Sequence, residues 1–209
     1  MTVPGRVDAA SLLLSLDPPP WFVRHARAVA EVASWLAVRF AARGLAVDRH
    51  LVEAAALLHD VDKLLAFDDP ARRLPHGEGS GAWLARRGHP ELGPAVAGHP
   101  VTRLADERRF PAWLEGASHE ERIVAYADKR AGQALQSLDA RLRSWDRRYP
   151  GGWSGDLRGL VRRHAERLEA GICAAAGVDP AEVRRLAWTG AALRAAAAMR
   201  RAGARQADR

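Results

Sequence analysis

The sequence predicts an all-α protein on three observations. Apolar residues recur at spacings of three and four rather than two. Ala, Leu, Arg and Glu, which lose little on entering a helix, dominate the chain. No segment reads as a convincing strand. With 209 residues, 48% of them apolar, the chain has material for one domain with a sizeable core, and disorder is excluded as its main state.

Residues 1–20 read as a lead segment. After Pro18-Pro19-Pro20, which suit the start of a helix, a first helix is predicted over about Trp21 to Arg43, with Phe22, Ala26, Val29, Ala33, Leu36 and Phe40 on one face and Gly44 as its stop. A second follows from about Arg49 to Phe67, carrying Leu51, Ala54, Ala55, Leu58 and Leu65 and ending at Asp68-Asp69-Pro70. A polar loop then runs to Pro75. Shorter helices are predicted at about Gly77 to Arg87 and Glu91 to Gly98, each after a Pro-His or His-Pro turn, and residues 101–117 read as an irregular connection.

A helix from about His119 to Gln136 is predicted to run on to Arg148. Tyr149-Pro150-Gly151-Gly152 breaks it. Residues 21–150 thus form the principal domain. Residues 151–209 add two helices packed on it, the last opening on a capping box of Asp179, Pro180 and Glu182, with the end frayed from about Gly203. There is no internal repeat.

The formal charge of +7 invites a nucleic-acid reading, but only Lys63 and Lys129 among the 32 basic residues are lysine. A chain that writes Arg wherever it needs a cation, as a GC-rich coding bias produces, gives weaker evidence of a nucleic-acid partner than a clustered basic stripe. No apolar run approaches the roughly 20 residues that span a bilayer, and Leu12 to Leu16 is too short for a signal-peptide core, so the expected location is cytoplasmic with no membrane partner. The lone Cys173 allows neither an intramolecular disulfide nor a thiolate zinc site, leaving His, Asp and Glu to hold any metal.

Leu57-Leu58-His59-Asp60-Val61-Asp62-Lys63 sets an imidazole and two carboxylates directly after an apolar run, where a helix should be buried. Buried charge is costly unless compensated, and a divalent cation would compensate it. A buried hydrogen-bonded His–Asp pair is the plainer alternative. His25 falls beside the stripe Phe22, Ala26 and Val29, and Asp128 follows Ile123, Val124 and Ala125. Three separated helices thus aim metal-type ligands inward in the order His, His-Asp, Asp.

On these residues the chain resembles the HD-domain metal-dependent phosphohydrolases, over about residues 21–150. The resemblance implies an all-helical bundle with His25, His59, Asp60 and Asp128 as metal ligands. His76 in Pro75-His76-Gly77-Glu78 and His99 in Gly98-His99-Pro100 resemble the two additional histidines of the subset that holds two metals, with Asp60 bridging them. A capping or loop histidine is the alternative at each, since Gly88-His89-Pro90 repeats the tripeptide. In that subset a lysine often stands three residues after the Asp, as Lys63 does, one turn away and within reach of a bound phosphate. The stretch from Ala127 through Arg141 to Pro150 resembles a subgroup of bacterial HD proteins of unassigned substrate.

Three departures narrow the resemblance. Single-metal nucleotidases carry an acidic residue at the position of Lys63. The symmetrical diadenosine tetraphosphatases carry different residues where Pro100-Val101 and Lys129-Arg130 stand. The glycine-tyrosine-proline signature of the cyclic dinucleotide phosphodiesterases is absent.

What the resemblance implies is an enzyme that hydrolyses a phosphate ester or anhydride of a nucleotide or small phosphorylated metabolite through metal-activated water. One or two divalent ions would be its cofactors, drawn from Mn, Fe, Ni, Co, Zn and Mg. Asp60 and Lys63 are the expected catalytic residues, with Lys63, Lys129 and Arg130 gripping phosphate oxygens. The alternatives are cleavage of a dinucleoside polyphosphate or a phosphodiester, and a non-catalytic module that binds nucleotide or RNA through its arginine faces. Outside the site, Asp62 reads as a supporting or surface carboxylate, His164 as a core residue, His50 and His119 as surface or capping residues, Trp83 and Trp113 as packing, and the arginines of residues 141–148 and 158–167 as solvated faces.

Overall fold

The computed structural model describes residues 3–148 and 150–207, the side chains of 206 and 207 excepted; Tyr149, part of the expected break, lies outside them. Within this range the chain is all-α, and the only extended pairing is an isolated bridge between Ala131 and Leu135. Eleven α-helices follow in order: α1 (Arg6–Leu14), α2 (Pro20–Ala42), α3 (Arg49–Leu58), α4 (Glu78–Arg86), α5 (Gly93–Ala97), α6 (Val101–Leu104), α7 (Arg109–Gly116), α8 (His119–Arg130), α9 (Leu138–Arg148), α10 (Gly155–Ala176) and α11 (Thr189–Ala207).

Helix α2 is the central post. Ala26, Ala28, Val29, Ala30, Val32, Ala33, Leu36 and Ala37 are all fully buried along it. The small alanines let α3 and α8 approach closely, and both pack against it. Helix α5 closes the other side of α3 and α8, α4 lies on α5, and α10 leans on α8. Helix α8 starts from a capping box in which Ser118 and Glu121 exchange side-chain bonds for each other's backbone N–H.

Several expectations are corrected. The lead segment contains a helix, α1, whose Ala9, Ala10 and Leu13 are fully buried and which packs on α3 and α11. The second helix ends at Leu58, not Phe67. Asp60 takes φ −106° and ψ 11°, and Val61–Leu64 tightens into a 3-10 turn. Residues 101–117 hold α6 and α7, anchored by fully buried Phe110 and by Leu104. Finally, α8 and α9 are separate: Ala131 is extended, Gln136 N–H donates to the Arg130 carbonyl, and the loop between closes on itself. The box at Asp179 and Glu182 forms, but it opens a 3-10 turn at Pro180–Glu182, and α11 begins at Thr189. Residues 203–205, expected to fray, are exposed and still helical.

Candidate metal centre

Five places in the chain deliver the six predicted donors to one point. His25 comes from the second turn of α2, His59 and Asp60 from the end of α3, His76 from just before α4, His99 from just after α5 and Asp128 from the last turn of α8. On a continuous α-helix the side chains of residues 59 and 60 would diverge by about 100°. The switch from helix to 3-10 turn at Asp60 brings both inward. His59, Asp60, His99, Asp128 and His25 are all buried, whereas the His76 ring is 35% exposed.

The two oxygens of Asp60 face different partners. Oδ2 stands 3.4 Å from His25 Nε2 and 3.5 Å from His59 Nε2. Oδ1 stands 3.2 Å from both His76 Nε2 and His99 Nε2. Asp128 Oδ1 completes the first group at 3.5 Å from His25 Nε2 and 3.9 Å from His59 Nε2.

Each imidazole gives its outer nitrogen to an oxygen. Nδ1 of His25 meets the Gly132 carbonyl at 2.8 Å, that of His59 the Ala56 carbonyl at 2.8 Å, that of His99 the Val96 carbonyl, and that of His76 the Asp62 carboxylate at 2.9 Å. The hydrogen-bond pattern therefore places the proton of a neutral ring on Nδ1 and turns Nε2 inward with its lone pair. The Nε2 atoms of His25 and His59 are 3.2 Å apart, and those of His76 and His99 3.1 Å. Lone pair against lone pair is repulsive unless a proton or a cation lies between.

Donors about 2.1 Å from an ion are separated by about 3.0 Å along an octahedral edge and about 3.4 Å along a tetrahedral one. Most of the observed spacings, 3.1–3.5 Å, lie in or next to that range, and the 3.9 Å between His59 and Asp128 is the one clearly longer, so the donor set fits divalent metal. Three overlapping groups have ligand atoms close enough to share an ion: His25, His59 and Asp128; His59, Asp60 and His99; and Asp60, Asp62 and His76.

The electrostatics prepare the donors unequally, lowering the pKa at His59, His99, Asp60 and Asp128 and raising it at His76. Complete burial pushes the His59 pKa down to about 3, so its ring is neutral and ready to ligate. Burial also lowers that of His99. His76 differs: its hydrogen bonds to Asp60 and Asp62 outweigh burial and raise its pKa to about 9, so its ring carries a proton that a bound ion would displace. Burial disfavours charge on Asp60 and Asp128, yet the surrounding imidazoles at the first, and Lys129 and Arg141 at the second, hold both carboxyls well below their usual range.

A cavity of about 440 Å³ opens above the donors. His25, His76 and Asp128 form its floor, Lys63 and Arg141 its cationic sides, and Pro100, Val101, Trp145 and Trp153 its apolar wall. The 3-10 turn stacks Lys63 over Asp60, with Nζ 2.7 Å from Oδ2 and the side chain 46% exposed toward the opening.

Two of the expected phosphate contacts are corrected. Lys129 is 1% exposed and its ammonium is spent on Asp128 Oδ2 and the His99 carbonyl, both at 2.6 Å. Arg130 points away from the donors, bonding to Glu169, the Tyr126 hydroxyl and the carbonyls of Gln136 and Pro180, where it ties α10 to α8. The cation that does reach the cavity beside Asp128 is Arg141, 3.4 Å from Oδ1 and stacked on Trp145 at 4.7 Å. Sequence reasoning placed it among solvated arginines, because only the turn between α8 and α9 folds it back.

Elsewhere the expectations fare well. Asp62 is buried and holds His76 Nδ1 and the Gly77 N–H. His164 stacks on Phe110 at 4.2 Å and bonds to the Leu104 carbonyl. His119 bonds to the Ala46 carbonyl and packs edge-on against Phe40. Trp83 is buried and Trp113 packs beside Phe110.

None of the described helices is long and apolar enough to cross a membrane. Neither the curated proteins nor the solved structures contain a significant match to the chain. The family model for the HD domain matches residues 22–132, just over half of the sequence and the stretch that supplies all six converging donors. HD domains are in general metal-dependent phosphohydrolases, and the buried His/Asp grouping is one that could hold a metal. The chain belongs to the HD-domain family.

Proposed function

We propose that the protein is a metal-dependent phosphohydrolase that binds two divalent ions and removes phosphate from a small phosphorylated metabolite, a nucleotide foremost. The observation that carries this reading is Asp60, whose two oxygens face two separate histidine pairs, one member of each, His25 and His76, lining a cavity. His25, His59, Asp60 and Asp128 would hold one ion, and Asp60, His76 and His99 the other. Bound ions of this kind lower the pKa of water and neutralise charge on phosphoryl oxygens.

The chain's own groups do the rest. Lys63 and Arg141 flank the floor and are placed to clamp non-bridging phosphate oxygens, the first as a point charge and the second as a planar fork. Each is already paired with a carboxylate, so the cavity offers modest net cationic charge beyond the ions. That suits one phosphate group better than a polyphosphate chain. The Pro100, Val101, Trp145 and Trp153 wall is apolar and excludes water from the alcohol side of the ester. A volume of about 440 Å³ lies near the low end of the ~300–1,000 Å³ typical of small-ligand pockets, which favours a single nucleotide over a dinucleoside polyphosphate.

The test is metal analysis of the purified protein followed by phosphate release from nucleoside monophosphates and triphosphates, sugar phosphates and dinucleoside polyphosphates, with and without chelator. Chelator-sensitive release, fastest from monophosphates, is the expected result. RNA binding that weakens steeply with salt, with no phosphate released from any substrate, would overturn it in favour of a binding module.

A further inference from the structure

Lys129 sits behind the donors, outside the cavity, with 1% exposure. Its Nζ donates to Asp128 Oδ2 and to the His99 carbonyl, each at 2.6 Å, beneath the face of Trp145 at 5.6 Å. Those two acceptors belong to opposite halves of the site. Asp128 faces His25 and His59, while the His99 ring faces His76 and the other oxygen of Asp60.

Charge does not by itself account for a cation here, since what it gains by keeping Asp128 ionised it gives back by repelling a metal. An ammonium beside a metal-facing carboxylate repels an incoming ion, and taking it out of water is costly in its own right. What the contact supplies is geometry. With Oδ2 committed to Lys129, Asp128 can turn only Oδ1 toward His25 and His59. The second bond fixes the backbone at His99 relative to the last turn of α8, in a stretch where Gly98 and Pro100 leave few other anchors.

We propose that Lys129 is a positioning residue that couples the two halves of the metal site, joining the carboxylate of one to the histidine of the other. This rests on the metal-site reading above. Oriented outer partners of metal ligands are commonly worth 10–100-fold in metal affinity. The role also accounts for lysine in a chain that otherwise writes arginine: a compact ammonium can reach two acceptors in a closed space, and a longer planar guanidinium cannot.

The experiment is manganese binding by calorimetry or equilibrium dialysis on the full chain, with a thermal melt of each variant. Lys129→Met should stay folded and bind Mn²⁺ at least tenfold more weakly at both sites. A residue that only repelled the incoming ion would predict the opposite sign, since removing it would tighten binding, and one that only kept Asp128 ionised would be replaced by Lys129→Arg without loss. Equal or tighter binding by folded Lys129→Met therefore overturns the proposal. Lys129→Arg keeps the charge and decides the matter where the Met variant does not fold. Coupling by geometry predicts weakened binding, and unchanged binding refutes it. Should the wild-type chain bind no Mn²⁺, Co²⁺, Ni²⁺ or Zn²⁺, the metal-site reading itself falls, and that outcome is told apart from the others before any variant is made.

Discussion

Asp60 is the residue on which the two histidine pairs meet, and replacing it should empty both. For Asp60→Ala we expect loss of metal and at least a hundredfold fall in phosphate release, with helicity by circular dichroism retained. His59→Ala should behave similarly, losing the ion between α2 and α3. Full activity of either variant in excess metal would refute the site. Asp62 acts one contact further out. Because its carboxylate orients His76 and accepts from the Gly77 N–H, Asp62→Ala should weaken metal binding by about 10–100-fold. Dialysis against Mn²⁺ would measure the loss. The donors were legible because an imidazole or carboxylate next to Leu57-Leu58 or Ile123-Val124 is conspicuous on chemical grounds. The Gly132 carbonyl that orients His25 was not, since a backbone acceptor has no signature in residue type.

Among the elements, the informative places are where helices stop. Periodicity marked α2, α3 and α8 correctly to within a few residues at their starts, because one face of each is apolar at helical spacing. It overran the ends of α3 and α8, where the chain leaves the helix to turn His59 with Asp60 inward and to fold Arg141 back. Propensity cannot foresee such breaks, because what stabilises them lies on other elements. The packing of α4 against the turn after Asp60 is similarly tight. A Cβ added at Gly79 would lie 2.5 Å from the Ala71 carbonyl oxygen and 3.0 Å from Asp62 Cβ. Gly79→Ala should therefore destabilise the fold by about 1–3 kcal/mol through overpacking, read by urea denaturation, and displace Asp62 from His76. Unchanged stability would mean that α4 is looser than its contacts imply.

At the scale of the molecule, the ends of the chain close over the domain through buried acids. Glu53 on α3, 3% exposed, receives Arg6 from α1 at 2.6 and 2.7 Å and the Ser34 hydroxyl at 2.6 Å. Glu31 on α2 receives Arg185 at 2.6 and 3.0 Å and the Thr189 hydroxyl, docking the approach to α11. Burial alone would raise the Glu53 pKa, but Arg6 and Ser34 outweigh it and hold it below its ordinary value of 4.5. The folded state thus binds this proton less readily than the unfolded chain. Its contribution is complete above about pH 4.5, and is lost as pH falls through the lower folded value. Glu53→Gln should cost about 2 kcal/mol at pH 7, with Arg6 half-exposed and able to find water. Melting curves from pH 7 to pH 3 should show the gap to wild type shrinking only below about 4.5. A gap independent of pH would show that the carboxylate's charge contributes nothing.

By itself the sequence determined the helical class, the inward faces and the residue types that can hold a divalent ion, because each follows from local spacing and side-chain chemistry. It also brought out Lys63 and Lys129 as the two exceptions to an arginine-writing chain. Only the tertiary structure decided their roles. Lys63 reaches the opening, Lys129 is sealed behind Asp128, and Arg130 serves α10, while Arg141 takes the place beside Asp128 on the cavity side. The physical reason is that a cation's role depends on which acceptors lie within about 3 Å of it and whether water can compete, and both are set by how helices distant in sequence pack.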